Sequence, residues 1–91
     1  MARWYVYILQ CADSTLYTGV TTDLQRRLQE HNRSDRLGAK YTRVRRPVSL
    51  VYQERAESRS GACKREAAIK KLSRKAKQQL IAEPLNCLAV E

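Results

Sequence analysis

Apolar and polar positions along the chain follow two periods, one of two residues and one near 3.6. The switches between them outline the elements. The first stretch, RWYVYILQC, is dense in β-branched and aromatic residues and predicts a strand over roughly residues 3–11. Its alternation sets Tyr5, Tyr7 and Leu9 on one face and Trp4, Val6 and Ile8 on the other. ADST supplies turn chemistry, and LYTGV returns as an antiparallel second strand. Both faces of this hairpin are largely apolar, so each is expected to be covered.

From residue 21 the period lengthens. Thr22 and Gln25 have capping-box spacing, Asp23 suits the positive end of a helix, and a helix is predicted over about 23–32. NRSDRLGAKYTRVRR is polar and basic and reads as a long exposed loop; such a loop in a compact domain tends to carry function. Pro47 opens a third strand, VSLVYQE, with Val48, Leu50 and Tyr52 alternating. Ser58 or Ser60 caps a helix at about 59–71, Ser73 caps another at about 74–82, and Pro84 ends the pattern. The order ββαβαα predicts an α/β fold. It is a single layered domain over residues 1–83, with a three-stranded, mostly antiparallel sheet flanked by helices and a C-terminal tail at 84–91. No internal repeat is visible.

Charge changes the picture more than composition does. Apolar residues make up 43% of the chain, enough for one modest core, and no apolar run is long enough to span a membrane. Cys11, Cys63 and Cys87 are widely spaced and, with a single histidine, argue against structural zinc. They read as reduced thiols in a cytoplasmic protein. The net charge of +9 is concentrated: residues 1–32 sum to zero and residues 33–77 to +11. A local cationic surface of this kind favours a polyanion, most often nucleic acid, with no membrane partner expected; a solvated basic face that only aids solubility is the plainer reading. Nothing signals an oligomer, so a monomer is the default.

Three polar residues occupy apolar stripes. Arg27 and His31 share the helical face of Leu24 and Leu28, and Glu66 falls between Ala62 and Ile69. An isolated buried charge is costly, so each needs a partner. A structural ion pair between Glu66 and Arg27 answers that need. So does a site at the seam of helix and sheet, beside the hairpin's Tyr7 and Tyr17.

YVY at 5–7, YTG at 17–19, Arg27, His31 and Glu66 together resemble the GIY-YIG nuclease superfamily, in particular its small single-domain bacterial members. The ten-residue steps from Tyr7 to Tyr17 and from Tyr17 to Arg27 are those of the family, and the likeness covers about residues 3–82. Tyr5, Val6 and Thr18 stand where the motifs have glycine, isoleucine and isoleucine. A frequent asparagine after the glutamate helix has no counterpart before Asn86.

The resemblance implies metal-dependent endonuclease-type hydrolysis of DNA phosphodiesters. Glu66 would hold one Mg²⁺ or Mn²⁺ that arrives with the substrate. Arg27 would fork onto the scissile phosphate. Tyr7 would take a proton from the attacking water, with its pKa drawn down by nearby cations, while Tyr17 and His31 orient the reactants; His31 is the alternative base. The five are expected to line one open cleft. Arg33, Arg36, Lys40, Arg43, Arg45 and Arg46 in the loop, with Lys64, Lys70 and Lys71 beyond it, would track the phosphate backbone. Tyr41 is a candidate to stack on a base or to pack. With no separate reading module, the expected substrate is branched, nicked or single-stranded DNA, or RNA, in DNA repair or processing. The second reading keeps the scaffold and the charge without the chemistry: a non-catalytic nucleic-acid-binding domain.

Overall fold

Three strands make one antiparallel sheet: β1 (Trp4–Gln10), β2 (Leu16–Thr21) and β3 (Ser49–Ala56), in the order β2-β1-β3. Four helices complete the fold: α1 (Leu24–Arg33), the single-turn α2 (Lys40–Arg43), α3 (Arg59–Lys70) and α4 (Arg74–Ala82). The computed structural model describes residues 3–82, so the expected tail, with Asn86 and Cys87, lies outside the described residues. None of the described helices is long and apolar enough to cross a membrane.

β1 takes the middle of the sheet because both of its faces are apolar. Val6 and Ile8 are fully buried and pack with Tyr52 of β3 against Ala62 and Ile69 of α3, with Leu80 and Ile81 of α4 at the margin. On the other face Tyr7, Leu9, Cys11 and Val48 meet Leu24 and Leu28 of α1. One helix therefore covers the tyrosine face and two cover the opposite face. Arg65 of α3 also reaches Glu54 of β3 at 2.9 Å, tying the second layer to the sheet.

Two local features differ from the sequence expectation. The cap of α1 is Asp23, whose carboxylate accepts from the Arg26 amide at 3.1 Å, and Thr22 stays exposed outside the helix. An ionised carboxylate one residue nearer the helix start is the stronger acceptor for that amide. The basic stretch after α1 also contains α2, and it is fastened at several points. The Asn32 side chain exchanges two hydrogen bonds with the Val48 backbone, at 3.0 and 2.7 Å. Arg46 donates Nε to the His31 carbonyl at 2.6 Å and Nη2 to the Ser34 carbonyl at 2.9 Å, satisfying two carbonyls at the end of α1, and Nη1 to the Asp35 carboxylate at 2.9 Å. At Gly38 the chain passes so close that a Cβ would lie 2.7 Å from the carbonyl oxygens of Glu30 and Ser34. Arg46 is thus a structural clamp as well as part of the positive charge.

Candidate active site

The register of the hairpin sets the geometry. Tyr7 on β1 pairs with Gly19 on β2, and Leu9 pairs with Tyr17. Because Gly19 has no side chain, the Tyr7 ring lies flat across β2: a Cβ built there would sit 2.4 Å from the Tyr7 hydroxyl. The hydroxyl is thereby carried over β2, an edge strand of the sheet.

There it meets α1. Tyr7 Oη lies 2.8 Å from His31 Nε2, and His31 Nδ1 lies 2.8 Å from Thr42 Oγ1. The Thr42 hydroxyl spends its proton on the Ala39 carbonyl at 3.0 Å, so its oxygen accepts from His31. This assigns the tautomer from the network: Nδ1 carries the hydrogen and Nε2 accepts from the Tyr7 hydroxyl. A directed chain of three hydrogen bonds runs from Tyr7 through His31 and Thr42 to backbone. The single turn of α2 exists at the point where it delivers Thr42. Replacing Thr42 with valine keeps the shape and leaves the Nδ1 hydrogen without an acceptor; urea denaturation is expected to show a loss of about 1–3 kcal/mol.

The rings form a contiguous stack. Tyr17 lies edge-on to His31 with centroids 5.2 Å apart and 6.5 Å from Tyr7. Tyr41 stacks on Tyr17 at 5.9 Å, and the Arg45 guanidinium covers the Tyr41 ring at 4.0 Å. Tyr41 therefore packs between two neighbours, and Arg45, which also bonds the Tyr41 carbonyl and pairs with Asp13, belongs to the same stack.

Arg27 shares a crevice with Tyr7, Leu9 and Leu28, and its side chain keeps 25% of its surface exposed. Its Nη1 reaches Glu30 at 2.9 Å and the Leu37 carbonyl at 2.6 Å. Glu66 comes from the opposite layer, on α3, with 23% of its side chain exposed and Lys70 Nζ 3.4 Å away. Arg27 is thus paired with Glu30 and Glu66 with Lys70, and among the described residues no Glu66–Arg27 ion pair forms.

The electrostatics differ from the sequence expectation for Tyr7. Burial pushes its hydroxyl up to about 12, and the Arg27 guanidinium beside it opposes that only in part, while Tyr17 and the Glu66 charge add to the rise. Desolvation outweighs a single cation because the phenolate has lost its water. His31 moves the other way, down to about 4, because it is buried and faces Arg27, with Glu30 opposing and Arg46 adding to the fall. Tyr7 at 2% exposure and His31 at 0% form the floor of the site; Tyr17 and Arg27, both partly exposed, form its rim.

The remaining cations sort by what they touch. Arg33, Arg36, Lys40, Lys64 and Lys71 are exposed, whereas Arg43 donates to the Asp35 carbonyl at 2.8 Å. Among the described residues no cluster of three or more His, Cys, Asp and Glu side chains could cage an ion. The single candidate carboxylate, Glu66, with 23% of its side chain exposed, fits a hard, largely hydrated divalent ion that would share a substrate phosphate, and does not fit a resident metal. Thr42 is the site residue that sequence reasoning missed. Its only signal was an uncharged Ala39…Thr42 spacing within a charged run.

Comparison with known proteins bears on the fold and the family. Residues 3–79 match the model of the GIY-YIG catalytic domain. A UPF0213 protein of Syntrophus aciditrophicus is 60% identical over 81 residues, covering 89% of this chain and 92% of its own. Another, from Staphylococcus saprophyticus, is 49% identical over 83 residues, covering 91% and 99%. The solution structure of the UPF0213 protein BH0048 from Bacillus halodurans superposes with a TM-score of 0.59 at 41% identity, over 96% of this chain and 90% of that one. That of EF2693 from E. faecalis gives 0.62 at 49% identity, over 89% and 84%. The sheet with its crossing tyrosine, the helix that brings Arg27 and His31, and the match over nearly the whole chain lead to one assignment: this chain belongs to the GIY-YIG family, in its small single-domain UPF0213 branch.

Proposed function

We propose that the protein is a metal-dependent endonuclease acting on DNA phosphodiester bonds. The observation that carries this reading is the hydrogen bond from the Tyr7 hydroxyl to a neutral, buried His31. A phenol held near pKa 12 is a poor base alone, but it relays a proton well. The attacking water gives its proton to Tyr7 Oη as the Tyr7 proton passes to His31 Nε2. The new O–P bond forms, the P–O bond to the leaving sugar oxygen breaks, and that oxygen takes a proton from solvent. His31 then returns its proton to Tyr7 as Tyr7 releases the water's proton to solvent. Arg27 and Tyr17, on the rim, hold the phosphate; Arg27 counters charge growing on the non-bridging oxygens with the guanidinium nitrogens that Glu30 and Leu37 leave free. A divalent ion on Glu66 would supply Lewis-acid polarisation of the phosphate. Arg33, Arg36, Lys40, Lys64 and Lys71 carry the backbone contacts that position the strand.

The Lys70 ammonium, 3.4 Å from Glu66, favours the second reading, a nucleic-acid-binding domain without turnover, since it competes with a cation for the carboxylate. One experiment separates them: incubation of single-stranded, nicked and branched DNA with Mg²⁺, Mn²⁺ or chelator, for the wild type and Glu66→Gln. The nuclease reading expects metal-dependent products, reduced about 100-fold or more in Glu66→Gln with thermal melting unchanged. Salt-sensitive, metal-indifferent binding with no product from any substrate would establish the binding domain instead.

A further inference from the structure

Away from the tyrosine cluster, on the α3–α4 side of the sheet, a cavity of about 110 Å³ is lined by Leu16, Arg74 and Lys77. Leu16 begins β2, the same edge strand whose Gly19 carries Tyr7. We infer that this cavity is a second phosphate subsite, which takes a backbone phosphodiester of the strand cut at the Tyr7–Arg27 site. The inference rests on the nuclease reading above and adds where the strand runs.

Three observations converge on a phosphate. First, the two charged groups lining the cavity are both cations, and α4 carries no acid over Arg74–Ala82. Second, Arg74 is already oriented: its Nη2 donates to the Ser14 carbonyl at 2.7 Å, tying α4 to the β1–β2 turn and leaving its other nitrogens to act. A preorganised fork loses less side-chain freedom on meeting an oxyanion than a free one does. Third, the space is ample for a phosphoryl group.

The position gives the subsite its meaning. Leu16 and Gly19 are three residues apart on β2, about 10 Å at ~3.3 Å per residue. A bound strand spans that distance within a few nucleotides. On the α3–α4 side of that edge the chain supplies Lys70 at the end of α3 and Arg74 and Lys77 on α4. A strand lying along the β2 edge would pass from the cleavage point onto this line of cations.

The test uses the whole protein, in chelator so that nothing is cut. Binding of oligothymidylates of increasing length is measured by fluorescence anisotropy for the wild type and Lys77→Gln, and inorganic phosphate is titrated by NMR. Wild-type affinity is expected to step upward once the strand is long enough to reach both points. Lys77→Gln should lose that step, bind longer strands about 3- to 10-fold more weakly, and show a salt slope shallower by about 0.7. Phosphate should shift the Leu16, Arg74 and Lys77 signals saturably. Phosphate shifts without the length step would mean a free-anion site off the strand's path and would overturn the inference. So would Lys77→Gln tracking the wild type at every length, and in that case the nuclease reading stands. A wild type that binds no strand at any length removes both.

Discussion

Gly19→Ala is expected to abolish cleavage while leaving the protein folded. The new methyl carbon would fall 2.4 Å from the Tyr7 hydroxyl and 2.6 Å from the ring carbon that bears it. A Tyr7 ring at 2% exposure has no free space into which it can swing, so it must tilt off β2 and leave His31 Nε2. Overpacking of this sort typically costs about 1–3 kcal/mol, tolerable for a small domain. A displacement of about 1 Å in a reacting group costs about 100-fold in rate, and here the water acceptor and the relay to His31 move together. Single-turnover cleavage on a substrate that the wild type cuts gives the rate, and urea denaturation gives the stability. An alanine variant that cuts at the wild-type rate would show that the tyrosine over Gly19 is only a packing element.

His31 carries the largest stability effect. It is fully buried with both ring nitrogens engaged, so His31→Ala opens a cavity, takes the acceptor from the Tyr7 hydroxyl and leaves Thr42 Oγ1 with only its bond to Ala39. The expected loss is about 3–5 kcal/mol, enough to unfold a marginal domain. Acid should reproduce part of this without mutation. In the unfolded chain His31 takes its proton near 6.5, and in the folded protein only near 4. Between those values the unfolded state binds more protons. Stability is therefore full above about pH 6.5, falls as the pH drops toward 4, and levels off below it, by up to roughly 3 kcal/mol. Urea midpoints across that window measure it; a midpoint that rises on acidification would contradict the buried neutral imidazole.

Element order and the cover on both faces were legible because alternation at residues 4–9 and the apolar stripes of α1 and α3 each bury one consistent set of side chains. Arg27, His31 and Glu66 stood out for the opposite reason, as polar groups on those stripes. What the sequence did not disclose was pairing. Glu30 and Lys70 are ordinary surface charges by spacing, yet they take the ion pairs with Arg27 and Glu66, because residues three and four apart on a helix meet at little entropic cost. The basic loop looked uniform, but Arg46 and Arg45 bond backbone and aromatic neighbours inside the fold. Tertiary partners alone distinguish them from Arg33 or Arg36. Thr42 was hidden by the same run, since a four-residue helix leaves no period to read.

The central place of β1 in the sheet also dictates a schedule during synthesis. β1 acquires its first neighbour by Thr21, but its second flank stays unpaired until Ala56 has emerged. At about 5–20 residues per second, a nascent chain spends some seconds with an open strand edge between two greasy faces. That interval, and not the finished fold, is when the protein most needs a chaperone.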